Sequence, residues 1–253
     1  MQKSHLRLHR LVTTSTLSSR RFRLARRIVF VIVEGPSDAE ALDVLFDRRF
    51  MANDVRVEVI GGDMTSDYMV DSTNIVKYVT EKVKVRMKML GRALRPGDIE
   101  SVIHVVDTDG AFVLDECIIE DLKYPAVPVY STVEIHSNTK SDIRGRNRRK
   151  RANLLRLCCT THIWKSVPYC VYFMSCNLDH VLYDKQNNAS EDKVADARAF
   201  ARRYKDDLAG FAAFLNDSSI AAPGDYRESW HFIQEGTHSL ERHTNLGLCF
   251  PVE

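Results

Sequence analysis

Six apolar residues in a row, Ile28 to Val33, run directly into Glu34-Gly35-Pro36-Ser37-Asp38. A run of this kind, with no polar alternation, is a strand buried on both faces, the habit of a parallel sheet covered by helices. It falls far short of the roughly 20 apolar residues that span a membrane. A second such run, Val102-Ile103-His104-Val105-Val106, ends in Asp107-Thr108-Asp109-Gly110. Open α/β sheets bind ligands beyond the carboxyl ends of their strands. Carboxylates in that place suit a hard divalent cation, usually with substrate phosphates completing its shell.

The stretches between and after these runs fit the same architecture. Pro36 suits the first turn of a helix, and Ala41, Leu42, Leu45 and Phe46 supply its inward stripe. Residues 55–60 form a second strand, closed by Gly61-Gly62. A long helix from about Ser72 carries Ile75, Val76, Val79, Val83, Met87 and Leu90 on one face. Residues 101–106 are the third strand, 111–122 a helix and 126–130 a fourth strand. Alternation of this sort predicts an α/β fold, a parallel sheet flanked by helices. Right-handed crossovers then gather the strand C-termini on one edge, so Glu34, Asp38, Asp107 and Asp109 meet there. Beyond a basic loop at 144–151, residues 169–174 read as one more strand, 191–204 and 206–215 as helices. The tail 227–250, with Trp230, Phe232, Leu240, Leu246 and Leu248, is expected to pack on the core.

Net charge is only +2, so its distribution is more telling than its sum. Residues 1–27 hold eight Lys or Arg and no acid, and 144–151 hold six basic residues in eight. Clusters of this kind form phosphate-binding footprints, or simply solvated tails and loops. The six cysteines make no CxxC pair, and Cys158-Cys159 with His162 has no usual zinc spacing. A reduced, cytoplasmic protein is the simplest expectation, although an acid-free Arg/Ser-rich start also has transit-peptide composition. No P-loop motif is present.

Strand, Glu-Gly-x-x-Asp, helix, then strand, Asp-x-Asp-Gly, resembles a TOPRIM domain, the module shared by topoisomerases, primases and several nucleases. Val33-Glu34-Gly35-Pro36-Ser37-Asp38 and Val106-Asp107-Thr108-Asp109-Gly110 carry the resemblance. In size and motif style the chain is similar to the overcoming-lysogenisation-defect nucleases and to small stand-alone TOPRIM proteins of bacterial defence systems. The resemblance implies a Rossmann-like parallel TOPRIM sheet over 27–140. A basic arm (1–26) precedes it, and a basic loop with a mainly helical extension (141–253) packs on it. It implies Mg²⁺ or Mn²⁺ held by Glu34, Asp107 and Asp109, with Asp38 as a further ligand. Asn177 and Asp179 match a later acidic motif, though Ser-x-x-Glu is not reproduced there. Any ATPase or defence partner is then a separate chain, and nucleic acid is the substrate.

Each of these residues also has an ordinary reading. Glu34 fits a surface turn, and Asp38 a first-turn acid favoured by the helix dipole. Asp107 and Asp109 fit a turn with Asp at its start, although two such close like charges repel unless a cation or Arg neutralises them. Asp179 fits a helix N-terminus. Asp63, His136 and His180 are weaker candidates. Lys140, Arg144, Arg146, Arg148, Arg149, Lys150 and Arg151 are expected to hold the phosphate backbone, which positions nucleic acid without reading its sequence. Arg20, Arg21, Arg23, Arg26 and Arg27 extend the same surface. The leading expectation is a metal-dependent nuclease with Glu34, Asp107 and Asp109 as its catalytic acids. The rival is a non-catalytic nucleic-acid- or partner-binding module. Oligomeric state is open.

Overall fold

In the computed structural model, residues 27–51, 55–90 and 95–252 are described. The basic arm, with Arg20, Arg21, Arg23 and Arg26, lies outside them. Every residue of β1 (Ile28–Val33) is buried, as an interior strand of the sheet requires. It is flanked by β2 (Arg56–Gly61) and β3 (Ile99–Asp107). A five-stranded sheet results, in the order β2-β1-β3-β8-β7, where β7 is His162–Ile163 and β8 is Val167–Met174. β2, β1, β3 and β8 run parallel, with Val31 beside both Val59 and Ile103, and Val105 beside Tyr172. β7 closes the edge antiparallel to β8.

Strand alternation divides the core into two layers. Ile28, Phe30 and Ile32 face Ile75, Val79 and Val83 of α2 (Ile75–Met89), Leu154 and Leu157 of α3 (Lys140–Cys158), and Trp230 of α7 (Tyr226–Phe232). Val29, Val31 and Val33 face Ala41, Leu42, Leu45 and Phe46 of α1 (Pro36–Met51). The same layer holds Leu178 and Val181 of α4 (Leu178–Tyr183), Phe200 of α5 (Ser190–Tyr204) and Phe211 of α6 (Leu208–Leu215). Phe211 meets Phe250 edge-on with ring centroids 4.9 Å apart, which fastens the end of the chain to this layer. Removing such a buried ring costs about 3–5 kcal/mol. Trp230, Leu240 and Leu246 are buried as expected, whereas Leu248 is exposed and Phe232 half-buried. No described helix is long and apolar enough to cross a membrane.

Three local expectations are corrected. Residues 111–122 are not a helix. They form turns, a short 3-10 segment at Asp115–Cys117 and β4 (Ile118–Glu120). Ala111, Phe112 and Val113 are buried consecutively, which no single helical face permits. Residues 126–130 do not supply the fourth parallel strand either. Only β5 (Val129–Tyr130) forms, in a separate sheet of order β4-β6-β5 with β6 (Ile135–Ser137). Pro125 and Pro128 remove backbone donors from that stretch. The fourth parallel place is taken by β8, which lies in the segment expected as a mainly helical extension.

The third correction concerns the basic run. Residues 144–151 are no loop but the middle of the 19-residue helix α3. Lys and Arg are good helix formers. The buried positions Ile143, Asn147, Lys150, Asn153, Leu154 and Leu157 recur at helical spacing. Polar residues occupy half of that stripe, which is why hydrophobic periodicity does not reveal it.

Candidate metal centre

The parallel strands deliver their ends to one edge. Glu34 follows β1 directly, and its Oε1 accepts from the backbone N–H of Asp107 at 3.1 Å. That bond joins the ends of β1 and β3. Asp63 follows β2, after Gly61 and Gly62. Its Oδ1 accepts from the N–H of Thr65 at 2.8 Å and from the Thr65 hydroxyl at 2.9 Å, while Oδ2 accepts from the Ser66 hydroxyl. The Thr65 hydroxyl lies 3.3 Å from Glu34 Oε1, which ties the two carboxylates together.

Asp109 reaches the same place through an unusual backbone. It has φ +49°, and Gly110 has φ +66°. Two successive left-handed residues turn the chain back under α3. Glycine suits 110 on both counts: the positive φ, and the space, since a Cβ there would stand 2.5 Å from Leu240 Cδ2 and 2.9 Å from Ile135 Cδ1 and force those side chains to shift. The consequence is a three-carboxylate group. One oxygen each of Glu34, Asp63 and Asp109 lie within 4.8 Å of one another, so these residues can hold a metal ion.

Lys150 enters this group from α3. It is fully buried. Its ammonium donates to Glu34 Oε1 and Oε2 at 3.2 and 3.3 Å, and to Asp109 Oδ2. The residue expected to grip phosphate on the surface is an interior cation, because a buried ammonium survives only among opposite charges. Burial opposes its charge, but Asp109 and Glu34 raise its pKa well above the ordinary lysine value. Burial also raises Asp63 and Asp109. The lowering influences together outweigh it: Lys150, with Ser66 and Thr65, brings Asp63 to about 2, and Lys150, with Arg146, lowers Asp109. Glu34 goes the other way. Burial, with Asp63 and Asp109 nearby, pushes it up to about 8 despite Lys150. Without a bound cation, Glu34 is therefore the member of the trio that takes up a proton most readily.

Asp107, Asp38 and Asp179 do not join the trio. Asp107 Oδ1 accepts from the N–H of Leu178 at 2.9 Å, at the start of α4. Burial, then Glu34, Asp38 and Asp109, raise its pKa well above the carboxylate range. Asp38 accepts from the N–H of Gly35 at 2.8 Å, closing the turn that carries Glu34. Its pKa is raised by burial and, less, by Asp179. Asp179 is buried and paired with Lys193 at 3.0 Å, and its Oδ1 has no hydrogen-bond partner among the described residues. These acids make a second negative group on the α4–α5 side. Asn177 caps α4 by accepting from the N–H of His180. His136 stacks on Tyr124 and pairs with Glu134, and His180 faces Asp184 at 4.0 Å.

Helix α3 grips the loops that carry these acids. Arg146 donates to the Asp109 carbonyl at 2.8 Å and to the Tyr130 hydroxyl at 2.7 Å. That hydroxyl in turn donates to Asp109 Oδ1 at 3.3 Å. Asn147 holds the Gly110 carbonyl at 3.2 Å, and Arg151 holds those of Ala111 and Val113 at 2.9 and 3.0 Å. On the other loop, Asn153 holds the carbonyls of Thr65 and Val70 at 2.9 and 3.2 Å, and Arg149 reaches that of Ser66 at 3.3 Å. Much of the basic run thus binds backbone carbonyls of its own chain.

Of the remaining candidates, Arg144 pairs with Asp115 at 2.8 Å. Lys140 is half-buried at the start of α3, its backbone N–H bonded to Glu120. Arg148 is exposed and lines a cavity of about 350 Å³ with Asp71, Ser72, Gly145 and Arg149. Arg27 lies away from the site, paired with Glu100. Tyr130, Asn147, Asn153 and Thr65 are not among the residues that the sequence singles out. No motif marks them, though Asn147 and Asn153 stand on the buried stripe of α3. Compared with models of known protein families, with curated proteins and with solved structures, the chain matches none.

Proposed function

We propose that this chain is a metal-dependent hydrolase of phosphodiester bonds in DNA or RNA, using Mg²⁺ or Mn²⁺. The single observation that carries the reading is the convergence of Glu34, Asp63 and Asp109 at the carboxyl edge of a parallel sheet. An oxygen-only donor set of that kind suits these hard cations. When bound, such an ion activates water and stabilises charge developing on the phosphate oxygens. The chain's own residues do the holding. Glu34 bridges the ends of β1 and β3, and Asp109 is fixed by Lys150, Tyr130 and Arg146. Arg148, facing outward beside the cavity, supplies a phosphate contact. The resemblance to TOPRIM nucleases supports the same reading, and with it a defence role beside a separate ATPase or other partner chain.

One observation favours a second reading, a non-catalytic nucleic-acid- or partner-binding module. Lys150 already neutralises part of the acidic group, so the group can serve as an interior ion pair. Cleavage of labelled single- and double-stranded DNA and RNA separates the two. The hydrolase cuts at least one substrate with Mg²⁺ or Mn²⁺, stops in EDTA, and is inactive as Glu34→Ala. Salt-sensitive binding with no turnover under any metal condition would leave the binding module.

A further inference from the structure

We infer that Lys150 is a resident cation that occupies the metal position of this centre, and that a divalent ion enters only as the Lys150 side chain leaves. The inference rests on the proposed metal-dependent function and specifies how that site is loaded. Two independent observations meet in it. The first is the carboxylate trio, whose oxygens lie within 4.8 Å of one another. The second is a fully buried ammonium lodged against two of its three members, bonded to both oxygens of Glu34 and to Oδ2 of Asp109.

A cation coordinated by carboxylates sits about 2.0–2.6 Å from their oxygens. An ion bridging Glu34 and Asp109 therefore needs the space that the ammonium fills. The two charges also repel each other strongly at that separation in a buried place. The helix that carries the lysine is held in place. Arg146, Asn147, Arg151 and Asn153 anchor α3 to both neighbouring loops. Departure therefore falls to the flexible four-carbon stem of the lysine. The lysine thus holds Glu34 and Asp109 together without metal, through the ion pairs it makes with both. It also sets a threshold, because the incoming ion replaces an ion pair and does not fill an open cage.

The test is a calorimetric titration of the full chain with MnCl₂, comparing wild type, Lys150→Met and Lys150→Gln. Removal of the competitor is expected to tighten Mn²⁺ binding at least tenfold in both variants, and to make their melting temperatures respond more to Mn²⁺ than that of wild type. Equal affinity in wild type and variants would overturn the inference while leaving the metal reading intact. Loss of binding in the variants alone would also overturn it, since Lys150 would then build the site. Absence of binding in all three proteins would overturn both the inference and the metal reading. Should the variants not fold, the wild type still decides: the buried ammonium of Lys150 is expected to give a protected ¹⁵N magnetic resonance signal without metal and to lose that protection when Mg²⁺ is added. Its persistence at saturating Mg²⁺ would overturn the inference.

Discussion

Gly110→Ala tests the turn on which Asp109 depends. Two costs arise together. Alanine at φ +66° pays the left-handed penalty, about 1–2 kcal/mol for a residue with a Cβ. The added methyl also lies 2.5 Å from Leu240 Cδ2 and 2.9 Å from Ile135 Cδ1, and overpacking of this kind costs about 1–3 kcal/mol. The variant should therefore lose roughly 2–5 kcal/mol in urea unfolding at an unchanged slope. Leu240→Ala separates the two terms. Alone it opens a cavity at a fully buried leucine and costs about 2–5 kcal/mol. Combined with Gly110→Ala it removes the closer contact and leaves that with Ile135, so the double variant should be more stable than the sum of the singles by about 1–2 kcal/mol. Strict additivity, or a loss below about 0.5 kcal/mol for Gly110→Ala, would refute the tight packing of this turn under the tail.

Other expectations follow from the same structure. Burial pushes His104 down to about 3, with Nδ1 against the Tyr169 hydroxyl at 2.8 Å. Because its folded pKa lies below the ordinary 6.5, the stability tied to neutral His104 is complete above pH 6.5 and is lost as pH falls towards 3. Between pH 6.5 and 5, wild type should lose stability more steeply than His104→Gln, by up to about 1.4 kcal/mol per pH unit in chemical denaturation; parallel curves would sink the assignment. Asn153→Ala leaves the carbonyls of Thr65 and Val70 without that donor, so thermal or urea unfolding should report a loss of about 1–3 kcal/mol, and no measurable loss would contradict the clamp. Arg148→Ala should weaken nucleic-acid binding and lower the slope of log affinity against log salt by about 1, with melting temperature unchanged. An unaltered salt slope would remove Arg148 from the interface.

The central strands were the most legible part of this chain. Ile28–Val33 is apolar throughout because helices cover both of its faces, so its place in the sheet could be read directly. The edge on which Glu34 and Asp109 meet followed from strand direction alone. What escaped is the segment from 111 to 158. Its small sheet is built from strands of two or three residues, too short for periodicity to register. Helix α3 was hidden for a different reason. Its buried face carries Asn147, Lys150 and Asn153, whose partners are carbonyls and carboxylates distant in sequence. A buried lysine looks like a surface lysine until its counter-ions are located. Asp63 was similarly ambiguous: a Gly-Gly-Asp strand end is equally suited to a turn, and only the register of β2 beside β1 brings it to Glu34.

The central claim is that Glu34, Asp63 and Asp109 together hold a divalent cation. Asp63→Asn addresses it most directly, because the change keeps shape and removes one charged oxygen donor. The measurement is Mn²⁺ binding by electron paramagnetic resonance, wild type beside Asp63→Asn. Saturable binding to wild type, weakened at least tenfold in the variant while its fold is retained, is the result predicted. Binding of Mn²⁺ with equal strength to both proteins, or no saturable binding to wild type, would contradict the account.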